Sequence, residues 1–159
     1  DSFGLQIPLI NAAIASNETA HKRVADRVMN ALGGSLVGKT IAVLGLTFKA
    51  DTDDTRESPA ISVIERLIGR GGKVIAYDPM VTQYDLAGLS LADSAVAAAL
   101  NADALVVLTE WTEFKSLDAK EILEAMSGKV VVDTRNVFDQ SIWIKSGANF
   151  PLMNLAGNL

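Results

Sequence analysis

A continuous apolar run, KTIAVLGL, occupies residues 39–46, and a polar stretch, TFKADTDDTRES, follows it at residues 47–58. The unbroken apolar run is typical of a strand that is covered on both faces. Ser58 and Pro59 then suit the N-cap and the first residue of a helix. The order of strand, polar loop and helix predicts the first unit of an alternating α/β domain.

The same alternation continues along the chain. Three further strands are predicted at residues 73–78, 104–109 and 129–133, with a possible edge strand near 148–150. Helices are predicted from Pro59 to the glycine pair 71–72, near 91–100, near 119–126 and after Asp139. Strands joined by helices imply right-handed crossovers and a parallel sheet. We therefore predict an α/β fold, a three-layer α/β/α sandwich with a mostly parallel sheet of about five strands, preceded by one long helix.

The long helix is predicted from about Pro8 to about Ala31, ahead of the glycine pair 33–34. Residues spaced by four and three along it form a seam on one face: Ile10, Ile14, Asn17, His21, Val24 and Val28. A partner helix or the chain's own α/β body are equal candidates to cover this seam. The pattern divides the chain into a helix at residues 1–36 and an α/β domain at residues 37–159.

Composition limits the classes of protein. The chain has 159 residues, 49% of them hydrophobic and 21% charged, so it can bury a core. The net charge of −5 argues against a nucleic-acid partner. Apolar runs are too short for a membrane span and no signal peptide is recognisable, so we expect a cytoplasmic location. With no cysteine and one histidine, neither a metal site nor a set of catalytic residues is predicted.

Ligands of parallel α/β sheets bind beyond the carboxyl ends of the strands, which indicates the loops after Leu46, Tyr77 and Val132. In the first loop, Lys49 is placed to meet a phosphate and Arg56 to contact a second one. The alternative is a solvated, charged turn with local ion pairs of little energetic value. The loop's length favours a function, because connections in α/β units usually have about 2–6 residues.

This loop is not a dinucleotide fingerprint, since Gly45 is its only glycine and no G-x-G-x-x-G follows. Asp78 resembles the acid that binds an NAD ribose, but without those glycines we interpret it as a cap on the Pro79 turn. Arg135 is either a second anion contact or a surface partner of Asp133.

Aromatic side chains and the histidine each have a structural and a functional interpretation. Trp111 and Phe114 are placed to stack on a base, but such aromatics more often pack a helix against the sheet, which we favour. His21, on the helix seam, is interpreted as an interface residue rather than as a catalytic base.

Four motifs, taken together, resemble the UDP-glucose/GDP-mannose dehydrogenase family. They are GLTFKADTDDTRESP at 45–59, AYDP at 76–79, ADALVVLTEWTEF at 102–114 and VVVDTRN at 130–136. Residues 7–27 are similar to that family's central helix, so the resemblance covers nearly the whole chain. The tail at residues 149–159 departs from the family pattern, because it lacks the usual tyrosine and the terminal Gly-Arg.

The resemblance implies the UDP-sugar-binding domain of an enzyme that oxidises the C6 alcohol of UDP-glucose to a carboxylate with NAD. It implies that Phe48, Lys49 and Arg135 contact the substrate and that Arg56 reaches the NAD pyrophosphate. It also implies a homodimer built through the long helix. The family's cysteine nucleophile and NAD-binding fingerprint are absent, so we expect this chain alone to be inactive. Another UDP-sugar, such as a UDP-N-acetylhexosamine, or a mainly dimerising module are the alternatives.

Overall fold

The computed structural model describes residues 2–151, and the side chains of residues 17–151. Its elements alternate as the sequence predicts. In chain order they are α1 Ser2–Ala31, β1 Thr40–Leu44, α2 Pro59–Gly69, β2 Lys73–Tyr77, β3 Leu89–Leu91, α3 Ala95–Ala99, β4 Ala104–Val107, α4 Thr112–Lys115, α5 Ala119–Ala125, β5 Val130–Asp133 and α6 Gln140–Lys145.

The five strands form one parallel sheet in the order β3-β2-β1-β4-β5. Successive residues of a strand face opposite sides, so Ile41 and Val43 pack with α1 and α2. Ala42 and Leu44 pack on the other side with α3, α4, α5 and α6. The predicted α/β fold, with helices on both faces of a parallel sheet and one long helix ahead of it, is confirmed.

Helix α2 begins as predicted. The Ser58 side chain caps it by accepting a hydrogen bond from the backbone N–H of Ala60 at 3.2 Å, and Pro59 is the first helical residue. This fixed start matters for the site, because it ends the polar loop at a defined point of the carboxyl edge of the sheet.

Several predicted boundaries were wrong. Helix α1 begins at Ser2 rather than near Pro8. The segment predicted as one helix near 91–100 contains the end of β3 and only a short α3. Residues 148–150 form a single bridge, between Asn149 and Val130, so the fifth strand is β3. Helix α4 was not predicted.

The last turns of α1 belong to the core of the α/β body. Ala25 and Val28 are fully buried among residues of α2 and the sheet. Ion pairs join the same two helices, Arg66 with Glu18 and Arg70 with Asp26. The chain's own body therefore covers this end of the predicted seam. Ile10 and Ile14 lie outside the residues whose side chains are described.

Candidate functional site

The candidate site lies at the carboxyl edge of the sheet. Strand β1 lies between β2 and β4. The chain runs from β1 through β2 to β3 at one border of the sheet and then crosses to β4 on the other side of β1, so the strand order reverses between β1 and β4. Open α/β sheets bind ligands at such a reversal of strand order. The predicted loop, residues 47–58, begins at this point.

A sharp turn at Gly45 carries the chain out of β1. Gly45 has a φ of +102°, which is unfavourable for residues with a side chain, and its N–H donates to the carbonyl of Tyr77 at 2.9 Å. The Thr109 hydroxyl donates to the carbonyl of Thr47 at 3.0 Å. The beginning of the loop is thereby attached both to β2 and to the segment after β4.

Asp78 lies at the centre of this edge and is 3% exposed. Its Oδ2 accepts hydrogen bonds from the backbone N–H of Leu46 at 2.8 Å and of Thr47 at 3.3 Å, and from the indole Nε1 of Trp111 at 3.2 Å. Its Oδ1 accepts from the N–H of Met80 at 2.8 Å. Three N–H donors therefore share Oδ2, and one N–H donor binds Oδ1. Asp78 is thus a structural cap, as predicted.

The loop closes on itself beyond Thr47. The N–H of Phe48 donates to the carbonyl of Asp54 at 2.9 Å, and the Arg56 side chain forms a two-point contact with the Asp54 carboxylate at 3.0 and 3.3 Å. Hydrogen bonds from the Arg56 side chain lower the pKa of Asp54, and the same pair raises the pKa of Arg56. Asp51 and Glu57 adopt positive φ values of 64° and 54°.

Phe48 and Lys49 follow the attachment points of the loop directly, and both side chains are exposed. Among residues 17–151, no carboxylate forms an ion pair with Lys49. The four acidic residues of this loop therefore leave the Lys49 ammonium free to bind an anion, whereas Asp54 forms an ion pair with Arg56.

Arg135 follows β5, and β4 lies between β5 and β1 in the sheet. Its side chain pairs with Glu110 at 3.0 Å, and its backbone N–H donates to Asp133 at 3.1 Å. Glu110, which directly precedes Trp111, was not predicted as the partner of Arg135. The next residue, Asn136, has a positive φ of 55°.

Among the described side chains, two clefts adjoin the first turn of α2. The larger, about 690 Å³, is lined by α1, by the loop residues 55–58 including Arg56, and by Tyr84. The smaller, about 140 Å³, is lined by α1, by Pro59 and Ala60, and by Arg135. His21 lines both. The structure therefore places Arg56 and Arg135 on either side of the α2 N-terminus, whereas Phe48 and Lys49 line neither cleft.

Burial of His21 lowers its pKa, an effect that Glu18 opposes and Arg66 reinforces. Its Nδ1 is buried without a hydrogen-bond partner. His21 thus lies at the contact between α1 and α2, which agrees with its interpretation as an interface residue.

The predicted packing role of the aromatics is confirmed, since Trp111 is 7% exposed and Phe114 is fully buried. Tyr77 packs edge-on against Phe114 and donates a hydrogen bond from its hydroxyl to Glu113 at 2.6 Å. Burial, followed by this hydrogen bond, raises the pKa of Tyr77 to about 12. These contacts join the end of β2 to α4 on the side of the sheet opposite α2.

Within residues 2–151 no helix combines the length and apolar character that a membrane crossing requires. The same part of the chain contains no group of three or more histidine and acidic side chains arranged to hold a metal ion.

The chain is similar to several known nucleotide-sugar dehydrogenases. The UDP-glucose 6-dehydrogenase of Rhizobium meliloti (strain 1021) is 38% identical over 147 residues, which span 91% of this chain and 34% of the relative. A UDP-glucose dehydrogenase from the hyperthermophilic archaeon Pyrobaculum islandicum aligns over 95% of this chain and 33% of its own, at a TM-score of 0.76 and 28% identity. An NDP-N-acetyl-D-galactosaminuronic acid dehydrogenase from Methanosarcina mazei Go1 aligns over 84% of this chain and 28% of its own, at a TM-score of 0.72 and 27% identity.

The chain thus spans about a third of the length of these relatives. The family model for the UDP binding domain matches residues 42–140, from β1 into α6, and so includes every loop described above. This match covers more than half of the chain, and it shows that the chain belongs to the UDP-glucose/GDP-mannose dehydrogenase family, whose UDP binding domain it contains.

Proposed function

We propose that this chain binds the nucleotide part of a UDP-sugar at the carboxyl edge of its sheet. The observation that supports this most strongly is Lys49, an exposed ammonium at the strand-order reversal with no ion pair among the described side chains. A diphosphate bound there would pair with the Lys49 ammonium without first breaking an ion pair between that ammonium and a protein carboxylate.

Backbone strain supports the same location. Of the four non-glycine residues with positive φ in the described part of the chain, Asp51 and Glu57 lie in the Lys49 loop, and Asn136 follows Arg135. Such conformations each require about 1–2 kcal/mol from the surroundings and cluster at functional sites. Three of the four strained positions therefore adjoin the proposed ligand contacts, and the fourth, Asn101, lies between α3 and β4.

In this proposal Phe48, Lys49 and Arg135 contact the UDP-sugar, with Arg135 released from Glu110 or shared with it. Arg56, which is held by Asp54 and lines the larger cleft, contacts the pyrophosphate of an NAD bound mainly by another domain. A dinucleotide site at β1 is not proposed, because no G-x-G-x-x-G follows this strand and Asp78 is engaged by backbone N–H groups and the Trp111 indole. NAD would serve as the hydride acceptor.

We further propose that the whole protein is an NAD-dependent UDP-glucose 6-dehydrogenase, by analogy with its relatives in Rhizobium and Pyrobaculum. A UDP-N-acetylhexosamine remains the alternative substrate class. Residues 1–36 would form the linking helix and residues 37–159 the nucleotide-binding domain. The chain by itself contains no cysteine nucleophile and is proposed to turn over no UDP-glucose.

Calorimetric titration of the chain with UDP tests the binding proposal, with GDP and NAD as controls. Lys49→Ala should weaken UDP binding roughly tenfold, about the contribution of one charge-assisted hydrogen bond. Lys73→Ala is the matched control, because it removes the same charge from an exposed position at the opposite edge of the sheet. If UDP fails to bind, or if both variants weaken it equally, the proposal is wrong.

A homodimer formed through α1 is also proposed. Because the body of the chain covers Ala25 and Val28, a second copy would contact the exposed Asn17 end and the turns before it. Light scattering at tens of micromolar gives the mass directly, and a monomer at that concentration would contradict this part of the proposal.

A further inference from the structure

We propose that Asp78 is a positioning residue that holds both parts of the nucleotide site in place, an inference that rests on the proposed function. Its carboxylate is buried, lies on the chain between β2 and Pro79, and forms no described hydrogen bond or ion pair with Lys49 or Arg135. It is connected to each of them through one intermediate segment. We call residues 46–49 the Lys49 arm, and residues 110–111 together with Arg135 the Arg135 arm.

The Lys49 arm is held by its backbone. The N–H groups of Leu46 and Thr47 both point at Asp78 Oδ2, at 2.8 and 3.3 Å. Thr109 fixes the carbonyl of Thr47 from the other side at 3.0 Å. With both polar backbone groups of Thr47 engaged, the direction in which Phe48 and Lys49 leave the sheet is determined.

The Arg135 arm is held by a side chain. The Trp111 indole donates to the same Oδ2 at 3.2 Å, which anchors the segment after β4. The neighbouring residue, Glu110, forms the ion pair with Arg135 at 3.0 Å. Asp78 therefore sets the position of Glu110, and through it that of Arg135, although β4 separates the two strands that carry Lys49 and Arg135.

One oxygen thus joins two arms that otherwise belong to different strands. Every group that donates to the Asp78 carboxylate is an N–H, and among the described ion pairs no cation neutralises it. Buried anions of this kind are stabilised only while those donors remain oriented toward them. An asparagine at position 78 with its amide oxygen in the Oδ2 position sets its NH₂ group against the N–H of Met80. It also removes the negative charge that strengthens the hydrogen bonds to both arms, so both arms are held more weakly.

The test is UDP binding by Asp78→Asn, with Asp103→Asn as the matched control. Asp103 also accepts a β1 backbone N–H, that of Thr40 at 2.8 Å, but at the amino edge of the sheet. Asp78→Asn should weaken UDP binding about tenfold, the equivalent of one charge-assisted hydrogen bond, and Asp103→Asn should leave it unchanged. Amide exchange at Leu46 and Thr47 should accelerate only in Asp78→Asn.

A double-mutant cycle separates positioning from general destabilisation. If Asp78 acts through Lys49, the two substitutions are not additive, and Asp78→Asn weakens binding much less in a Lys49→Ala background. Trp111→Phe tests the other arm without altering the carboxylate, and its effect should shrink in an Arg135→Ala background. This variant also serves if Asp78→Asn does not fold.

The outcomes are distinguishable. No UDP binding by the unaltered chain would overturn the proposed function and this inference together. UDP binding that Asp78→Asn leaves within twofold of the control would overturn only the inference, and so would strict additivity in both cycles.

Discussion

Gly45→Ala tests the geometry at the exit of β1, on which the candidate site depends. At its φ of +102°, an alanine Cβ would lie 2.6 Å from the backbone nitrogen of Thr109. Thr109 is 1% exposed and its hydroxyl is engaged with Thr47, so it cannot move aside cheaply. The substitution therefore combines an unfavourable backbone conformation with a steric clash.

The two effects give the expected magnitude. A left-handed conformation costs a non-glycine residue about 1–2 kcal/mol, and overpacking a tight contact costs about 1–3 kcal/mol. The free energy of unfolding should therefore fall by roughly 2–5 kcal/mol, a large part of the stability of a single domain.

Urea unfolding followed by circular dichroism measures this loss, and two other glycines separate its components. Gly34 has a φ of +97°, and no atom lies within 4 Å of the position that an alanine Cβ would take, so Gly34→Ala should show the conformational part alone. Gly69, at the end of α2, has neither problem, and Gly69→Ala should be neutral or stabilising by up to about 1 kcal/mol. A Gly45→Ala loss no larger than that of Gly34→Ala would refute the clash.

Two further predictions concern titration. Burial lowers the pKa of His21, so protonation favours the unfolded chain; stability should fall as the pH drops through about 6.5, and His21→Gln should remove this component. The urea unfolding midpoints of the unaltered chain and of His21→Gln, at pH values on either side of about 6.5, measure this component. If the midpoints of the two proteins change in parallel with pH, the burial of this imidazole is contradicted. Tyr77 should remain protonated well above the ordinary tyrosine pKa, titrating at about 12 by ultraviolet absorbance. Glu113→Gln should lower that value only in part, because burial is the larger cause, and a complete return to the ordinary value would contradict this order of causes.

The sequence predicted the elements whose signals are local. The apolar run before Gly45, the Ser58 cap and Pro59 specify β1, its loop and the start of α2 through contacts between near neighbours in the chain. Strand β3 escaped prediction because three residues, of which Ser90 is exposed, carry too little periodicity. Helix α4 is a single turn whose Trp111 N-cap makes no side-chain cap hydrogen bond, so it has no capping signal.

The site was predictable in its location but not in its pairings. The loop after β1 was recognised from its charge and length, and Asp78 as a structural acid from the missing glycines. The pairing of Arg135 with Glu110 joins residues 25 positions apart and depends on strand order, which local patterns do not encode. The roles of Phe48, Lys49, Arg56 and Arg135 toward ligands remain predictions that the binding experiments address.

The bridge between Asn149 and Val130 has a consequence for self-association. Exposed strand edges offer unpaired backbone groups that recruit other chains into aggregates. Here the N–H of Val131 donates to the carbonyl of Asn149, and the N–H of Asn149 donates to the carbonyl of Lys129, so part of the β5 edge is already paired. At the opposite edge β3 has only three residues. Both borders of the sheet are thus poor templates for edge-to-edge growth, which protects a strongly apolar parallel sheet from amyloid-like stacking.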